Sequence, residues 1–229
     1  MTYNYMNIFK DKKVCLILTC DRHFYINRLR DISDTIQYFK ESDFIIVYLY
    51  GYAPNYELTL DKINETEYKL YVPVIDCYEM LSAKMEYAYK YLNEQGVSGV
   101  LKIDDDVKIL DKDYINNILD IFDNYDYFGI YSTEFGLEKI KLIMLPKFKY
   151  NLFKTLCTIY EKEPFKYFVG PFYYLSKSAL AQVCSTGLIS IYEDISVGHS
   201  INQNPNLKVF QQNNIFWNTA ITWGKTTET

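Results

Sequence analysis

Uninterrupted apolar runs at Val14–Leu18 and Phe44–Tyr50 mark strands buried on both faces, and such strands belong to parallel sheets. Two more extended stretches follow, Leu70–Val74 and Val97–Ile103. Between them lie segments with helical spacing of apolar residues. One runs from about Tyr25 to Phe39. The other, Cys77 to Gln95, aligns Met80, Leu81, Met85, Ala88 and Leu92 and stops at Gly96. This alternation predicts βαβ units: an α/β fold with a central, mostly parallel sheet flanked by helices. Ligands of such sheets bind beyond the carboxyl ends of the strands, where Thr19-Cys20-Asp21 and Asp104-Asp105-Asp106 both fall.

Further along, helices are expected at about Asp113–Phe122, Lys177–Cys184 and Glu193–Gln203, with extended segments at Phe128–Ser132 and Phe168–Leu175. The stretch from Thr133 to Lys166 is compatible with a hairpin and a helix. No repeat or Pro/Gly-rich linker interrupts the chain, so residues 1–229 are expected to form one Rossmann-like domain, 1–110 as the nucleotide-binding half and 111–229 as the acceptor half.

With 49% hydrophobic and 23% charged residues, a chain of 229 residues can build a large core. Its net charge of −5, with acids and bases interspersed, excludes the basic footprint of a nucleic-acid binder. The 24 tyrosines fit either a biased genome or sugar stacking. Five scattered cysteines without a CxxC pair suit a reducing compartment. The first apolar run is too short for a signal h-region or a membrane span. The expectation is a cytoplasmic protein of a microbe or virus, with no membrane span.

Three stretches carry the chemistry. In Lys102-Ile103-Asp104-Asp105-Asp106-Val107, three adjacent carboxylates end a buried strand. They repel one another unless a cation or donors compensate, so they form either a metal site or a solvated acidic turn. Hard cations such as Mg²⁺ or Mn²⁺ use one or two carboxylates plus substrate phosphates. In extended backbone Asp104 and Asp106 point the same way, with Asp105 opposite. The pair Glu193-Asp194 either complements a helix dipole or supplies a general base. Gly170, inside the aromatic run Phe168 to Ser176, marks a bulge or the close approach of a ligand.

The order of these stretches resembles the β-1,3-galactosyltransferase and N-acetylglucosaminyltransferase family, fringe-like enzymes included. That family's pattern runs K-x-D-D-D-V, a Gly-containing aromatic strand ending in Ser, then E-D-V-x-x-G. Here these are Lys102–Val107, Phe168–Ser176 and Glu193–Gly198. Asp76 to Lys84 is similar to its D-x-Y-x-N-L-x-x-K segment, and Arg28 falls where the family has an arginine. The likeness spans about Val14 to Gln203.

The resemblance implies a GT-A fold, a UDP-sugar donor, Mn²⁺ (or Mg²⁺), a glycan or glycoprotein acceptor, and inversion at the anomeric carbon. Carried over, Asp106 is the metal ligand with Asp104 assisting. Thr19, Arg28, Lys84, Asp104 and Asp105 bind the donor, Gly170 and Glu193 line the sugar pocket, and Asp194 is the catalytic base. Ser33 and Ile36 stand where the family has arginine and tryptophan, and Pro171 replaces a glycine. Its late histidine has no match after Gln203, leaving His199 and His23 open between structural and ligand roles. Trp217 and Trp223 are candidates for acceptor stacking or for the core. A retaining enzyme, a nucleotidyltransferase and a non-catalytic sugar-nucleotide-binding module are the rival readings.

Overall fold

The computed structural model describes residues 8–52, 56–77, 80–120, 122–129, 132–135, 165–188, 192–210 and 220–223. At its centre is a seven-stranded sheet built from β1 (Lys13–Leu18), β2 (Phe44–Gly51), β3 (Thr59–Lys62), β4 (Glu67–Val72), β5 (Gly99–Asp104), β7 (Tyr127–Gly129) and β10 (Phe172–Ser176), in the order β3-β4-β2-β1-β5-β10-β7. The inner strands β4, β2, β1 and β5 are parallel; β3 and β10 run antiparallel to their neighbours. Two short ribbons stand apart, β6 (Lys108–Ile109) with β11 (Ile221–Thr222), and β8 (Ser132–Phe135) with β9 (Phe165–Phe168). The fold is therefore the expected α/β class with a mostly parallel sheet.

Alternation along the strands divides the core in two. Val14 and Leu16 of β1 join one cluster, with residues of α3 (Leu81–Glu94), α5 (Lys177–Thr186) and α6 (Glu193–Asn202). Cys15 and Ile17 join the other, with residues of α2 (Ser33–Glu41) and α4 (Lys112–Leu119). Both faces of β1 are thus buried, which is why its sequence shows no polar alternation. Two helix starts carry side-chain caps, and one helix ends at a glycine. Ser176 Oγ accepts from Ala179 N at the start of α5, Asp111 Oδ1 accepts from Tyr114 N at the start of α4, and Gly96 takes φ +72 just beyond α3.

The helix expected over Tyr25–Phe39 is two, α1 (His23–Asp31) and α2, hinged at the buried Ile32. Ser33-Asp34 favours a fresh start there, with the acid in the first turn. Helix α2 buries Ile36, Tyr38 and Phe39 against the sheet, while α1 stays largely exposed and turns Tyr25 and Arg28 toward the strand ends. The chain over Phe168–Leu175 is two strands, β9 and β10, broken at Gly170-Pro171. The ends of the ambiguous Thr133–Lys166 stretch pair as β8 and β9; its middle, like Trp217, lies outside the described residues. No described helix is long and apolar enough to cross a membrane.

Candidate functional site

Strand β1 has β2 on one side and β5 on the other, so the chain changes direction across the sheet between β1 and β5. Ligands of open α/β sheets bind at such a switch point. A cleft of about 660 Å³ opens there, lined by Thr19, Arg28, Lys84, Asp104, Asp105, Asp106, Gly170, Glu193 and Asp194 together. The fold thus gathers every site residue expected from the sequence into one cleft.

The acidic triplet does not stay extended. Strand β5 ends at Asp104, and Val107 N donates to Asp104 O at 3.3 Å across a turn. Asp105 and Asp106 therefore share a side instead of alternating. Arg28 Nη1 lies 3.3 Å from Asp105 Oδ1 and 3.4 Å from Asp106 Oδ2, bridging both. Asp105 is the buried member at 3% exposure, and burial lifts its carboxyl to about 6 despite the nearby arginine. Its Oδ2 and Thr19 Oγ1 are buried atoms without a well-formed hydrogen bond. Asp104 and Asp106 are more open, at 30% and 14% side-chain exposure.

Opposite the triplet, α6 begins at Glu193-Asp194. Asp194 Oδ2 accepts from Gly170 N at 2.9 Å, and Oδ1 accepts from Ile195 N at 2.8 Å. Two N–H donors, one from the helix start and one from the β9–β10 break, stabilise the carboxylate, but the surrounding protein and the Glu193 charge outweigh them. Asp194 is pushed up to about 7. A Cβ on Gly170 would lie 3.1 Å from Glu193 Oε1 and 3.5 Å from Asp194 Oδ2, so the missing side chain is what lets this backbone reach the acids.

Two lysines tie the halves together. Lys102, 1% exposed, reaches Asp104 Oδ1 at 2.5 Å, Gly170 O at 2.5 Å and Glu193 Oε1 at 3.2 Å. Burial alone would lower its pKa; the two carboxylates reverse that and hold it well above the usual lysine value. In the sequence Lys102 stands only as the first residue of the aspartate motif; its alternation with Val100 onto the α6 face of β5 is the signal of its role. Lys84 donates to the Thr19 carbonyl and pairs with Asp76 Oδ1 at 2.7 Å, while Asp76 Oδ2 accepts from Gly51 N. It therefore fastens α3 to the ends of β1 and β2, and burial lowers its pKa.

Among the described residues no group of three or more His, Cys, Asp or Glu could hold a metal by itself. Asp104, held by Lys102, and Asp106, held by Arg28, are the more open carboxylates of the turn, hard-oxygen groups of the kind a cation takes when its remaining ligands come with a phosphate-bearing substrate. His199 packs edge-on against Phe165 at 5.4 Å and does not line the cleft, and Trp223 packs on the second core cluster. His23 is the first residue of α1.

No protein-family model matches the chain, and no curated protein matches it. Among solved structures, the crystal structure of A197 from STIV is similar over 89% of this chain and 82% of its own, at 9% identity and a TM-score of 0.43. A likeness that distant leaves function to be argued from this chain's own residues.

Proposed function

We propose that this chain is a glycosyltransferase of GT-A type that moves a hexose or N-acetylhexosamine from a UDP-sugar to an acceptor hydroxyl, with inversion. The observation that carries this reading is Asp194. It is a carboxyl near neutral pKa, fixed by Gly170 N and facing an arginine-bridged acidic turn across one cleft. A base poised near the working pH is what an acceptor hydroxyl needs as its oxygen attacks the anomeric carbon.

Roles follow from position. Asp104 and Asp106 would hold a Mn²⁺ or Mg²⁺ together with the donor diphosphate. Such a cation supplies Lewis-acid neutralisation of the departing diphosphate. Arg28 lies beside the same turn and adds positive charge to it. Lys84 holds the Thr19 carbonyl and Asp76, so it shapes the donor side through the backbone. Lys102 shares its one positive charge between Asp104 and Glu193, joining the donor turn to the acceptor wall. Asp194 takes the acceptor proton.

A UDP-sugar panel with and without Mn²⁺, read as UDP release, tests this reading. Metal-stimulated release from at least one donor is expected. No release from any donor, together with UDP binding that ignores Mn²⁺, contradicts it.

A further inference from the structure

Helix α1 is a partition with a cleft on each side. Tyr25 and Arg28 face the site described above, whereas Ile26, Leu29 and Arg30 line a second cleft of about 620 Å³. Its floor is the outer part of the sheet. Strands β2 and β4 pair in the register Ile46↔Glu67, Tyr48↔Lys69 and Tyr50↔Tyr71, so alternation puts all six side chains on one face. The opposite face is ordinary core, with Val47, Leu49, Leu70 and Val72 buried. On the floor side α2 covers Ile46, which is core, but beyond it the surface is built from tyrosines and charges.

That surface has a specific organisation. Tyr50 and Tyr71 stack at 5.3 Å between ring centres and 22° between planes. Tyr48 Oη donates to Glu67 Oε1 at 3.1 Å, and Lys40 Nζ lies 3.2 Å from the same oxygen. Glu67 is thus neutralised within the wall. Lys69 has no carboxylate partner among the described residues and lies 5.9 Å from the centre of the Tyr50 ring. Arg30 likewise has no ion pair among the described residues, and Asp21 supplies an acid at the rim. Burial pushes the Tyr50 hydroxyl up to about 12, so it stays protonated.

We infer that this second cleft is a binding site for a short uncharged saccharide, separate from the cleft at the β1/β5 switch point. Tyr50 is buried against Tyr71, so Tyr71, the partly exposed ring of the pair, offers the apolar surface for the C–H side of a pyranose. Donors and acceptors of both signs at the rim match a ligand that carries hydroxyls all round. Asp21 offsets one of the two cations Lys69 and Arg30, so no concentrated anion site forms, and a neutral polyol can hydrogen-bond to all three. The volume lies within the range of about 300–1,000 Å³ usual for small-ligand clefts. The inference does not depend on the transferase reading, because none of the residues assigned to transfer lines this cleft.

The test is ligand-observed NMR saturation transfer with lactose, maltose, cellobiose and N,N′-diacetylchitobiose at millimolar concentration, on the whole chain. The expected result is a signal from at least one disaccharide. Tyr71→Ala should weaken it about tenfold and Lys69→Ala by a smaller factor, while Asp194→Asn and added UDP should leave it unchanged. Both test positions are partly exposed on the wet face, and circular dichroism confirms that the variants fold. No signal from the whole panel overturns the inference. So does a signal that is indifferent to Tyr71→Ala and Lys69→Ala, or one that UDP displaces.

Discussion

Gly170 N donates to Asp194 Oδ2 at 2.9 Å, while Gly170 O accepts from Lys102 Nζ at 2.5 Å. One peptide segment ahead of β10 therefore links the acid at the start of α6 to the lysine beneath the aspartate turn. That link makes the two sides of the cleft a single electrostatic unit.

The first consequence is a pH limb. Asp194 must be ionised to accept a proton, and its pKa is raised to about 7 by burial and by Glu193. In the proposed reaction kcat/KM should climb with pH and level off above about 7. Glu193→Gln removes the neighbouring charge, so the limb should move to lower pH. A limb that stays in place in that variant counts against Asp194 as the titrating base.

The same shift bears on stability. The Asp194 carboxyl binds its proton more tightly folded, near 7, than unfolded, near 3.8. Between those values the native state holds more protons. The stabilisation is complete below the unfolded value and is lost as pH rises through about 7. Asp194→Asn keeps an acceptor for Gly170 N but removes the buried charge. It should be more stable than the parent at pH 8 by about 1 kcal/mol or more, with a smaller difference at pH 4. Urea unfolding at both values checks this.

Lys102→Met leaves Asp104 and Glu193 without their shared cation and Gly170 O without its donor. Removing one partner from a buried charge cluster costs about 3–5 kcal/mol. Chemical denaturation should show a loss of that order. A loss under about 1 kcal/mol would mean that the cluster is not a structural linkage.

Gly198 sits where α6 presses on β9. An added Cβ would lie 2.2 Å from Tyr167 Cβ and 3.0 Å from its Cα. Gly198→Ala should therefore destabilise by about 1–3 kcal/mol through overpacking, visible as a lowered Tm.

Much of this was legible in the sequence, for physical reasons that differ by residue. Strands β1 and β5 announce themselves because both faces are buried, and β2 because it is apolar throughout even though Tyr48 and Tyr50 face a cleft; the site follows from where β1 and β5 end. The pairing of Lys102 with Glu193, and of Lys84 with Asp76, is tertiary. Positions 91 and 8 residues apart meet only once α3 and α6 have docked on the sheet. The direction of Asp105 departs from strand alternation because β5 ends at Asp104 and a turn takes over. The break at Ile32 was hidden because apolar spacing runs through it, although Ser33-Asp34 was the signal for a new helix start. Edge strand β3 has a single buried residue, Leu60, and so left little pattern to find.

Asp194 is the proposed base of the UDP-sugar transfer. The most direct measurement is single-turnover sugar transfer by Asp194→Asn beside the parent, with Mn²⁺-dependent UDP affinity measured on both. A loss of transfer of about a thousandfold or more with UDP affinity within about twofold is predicted. Transfer at the parent rate in the asparagine variant would contradict it.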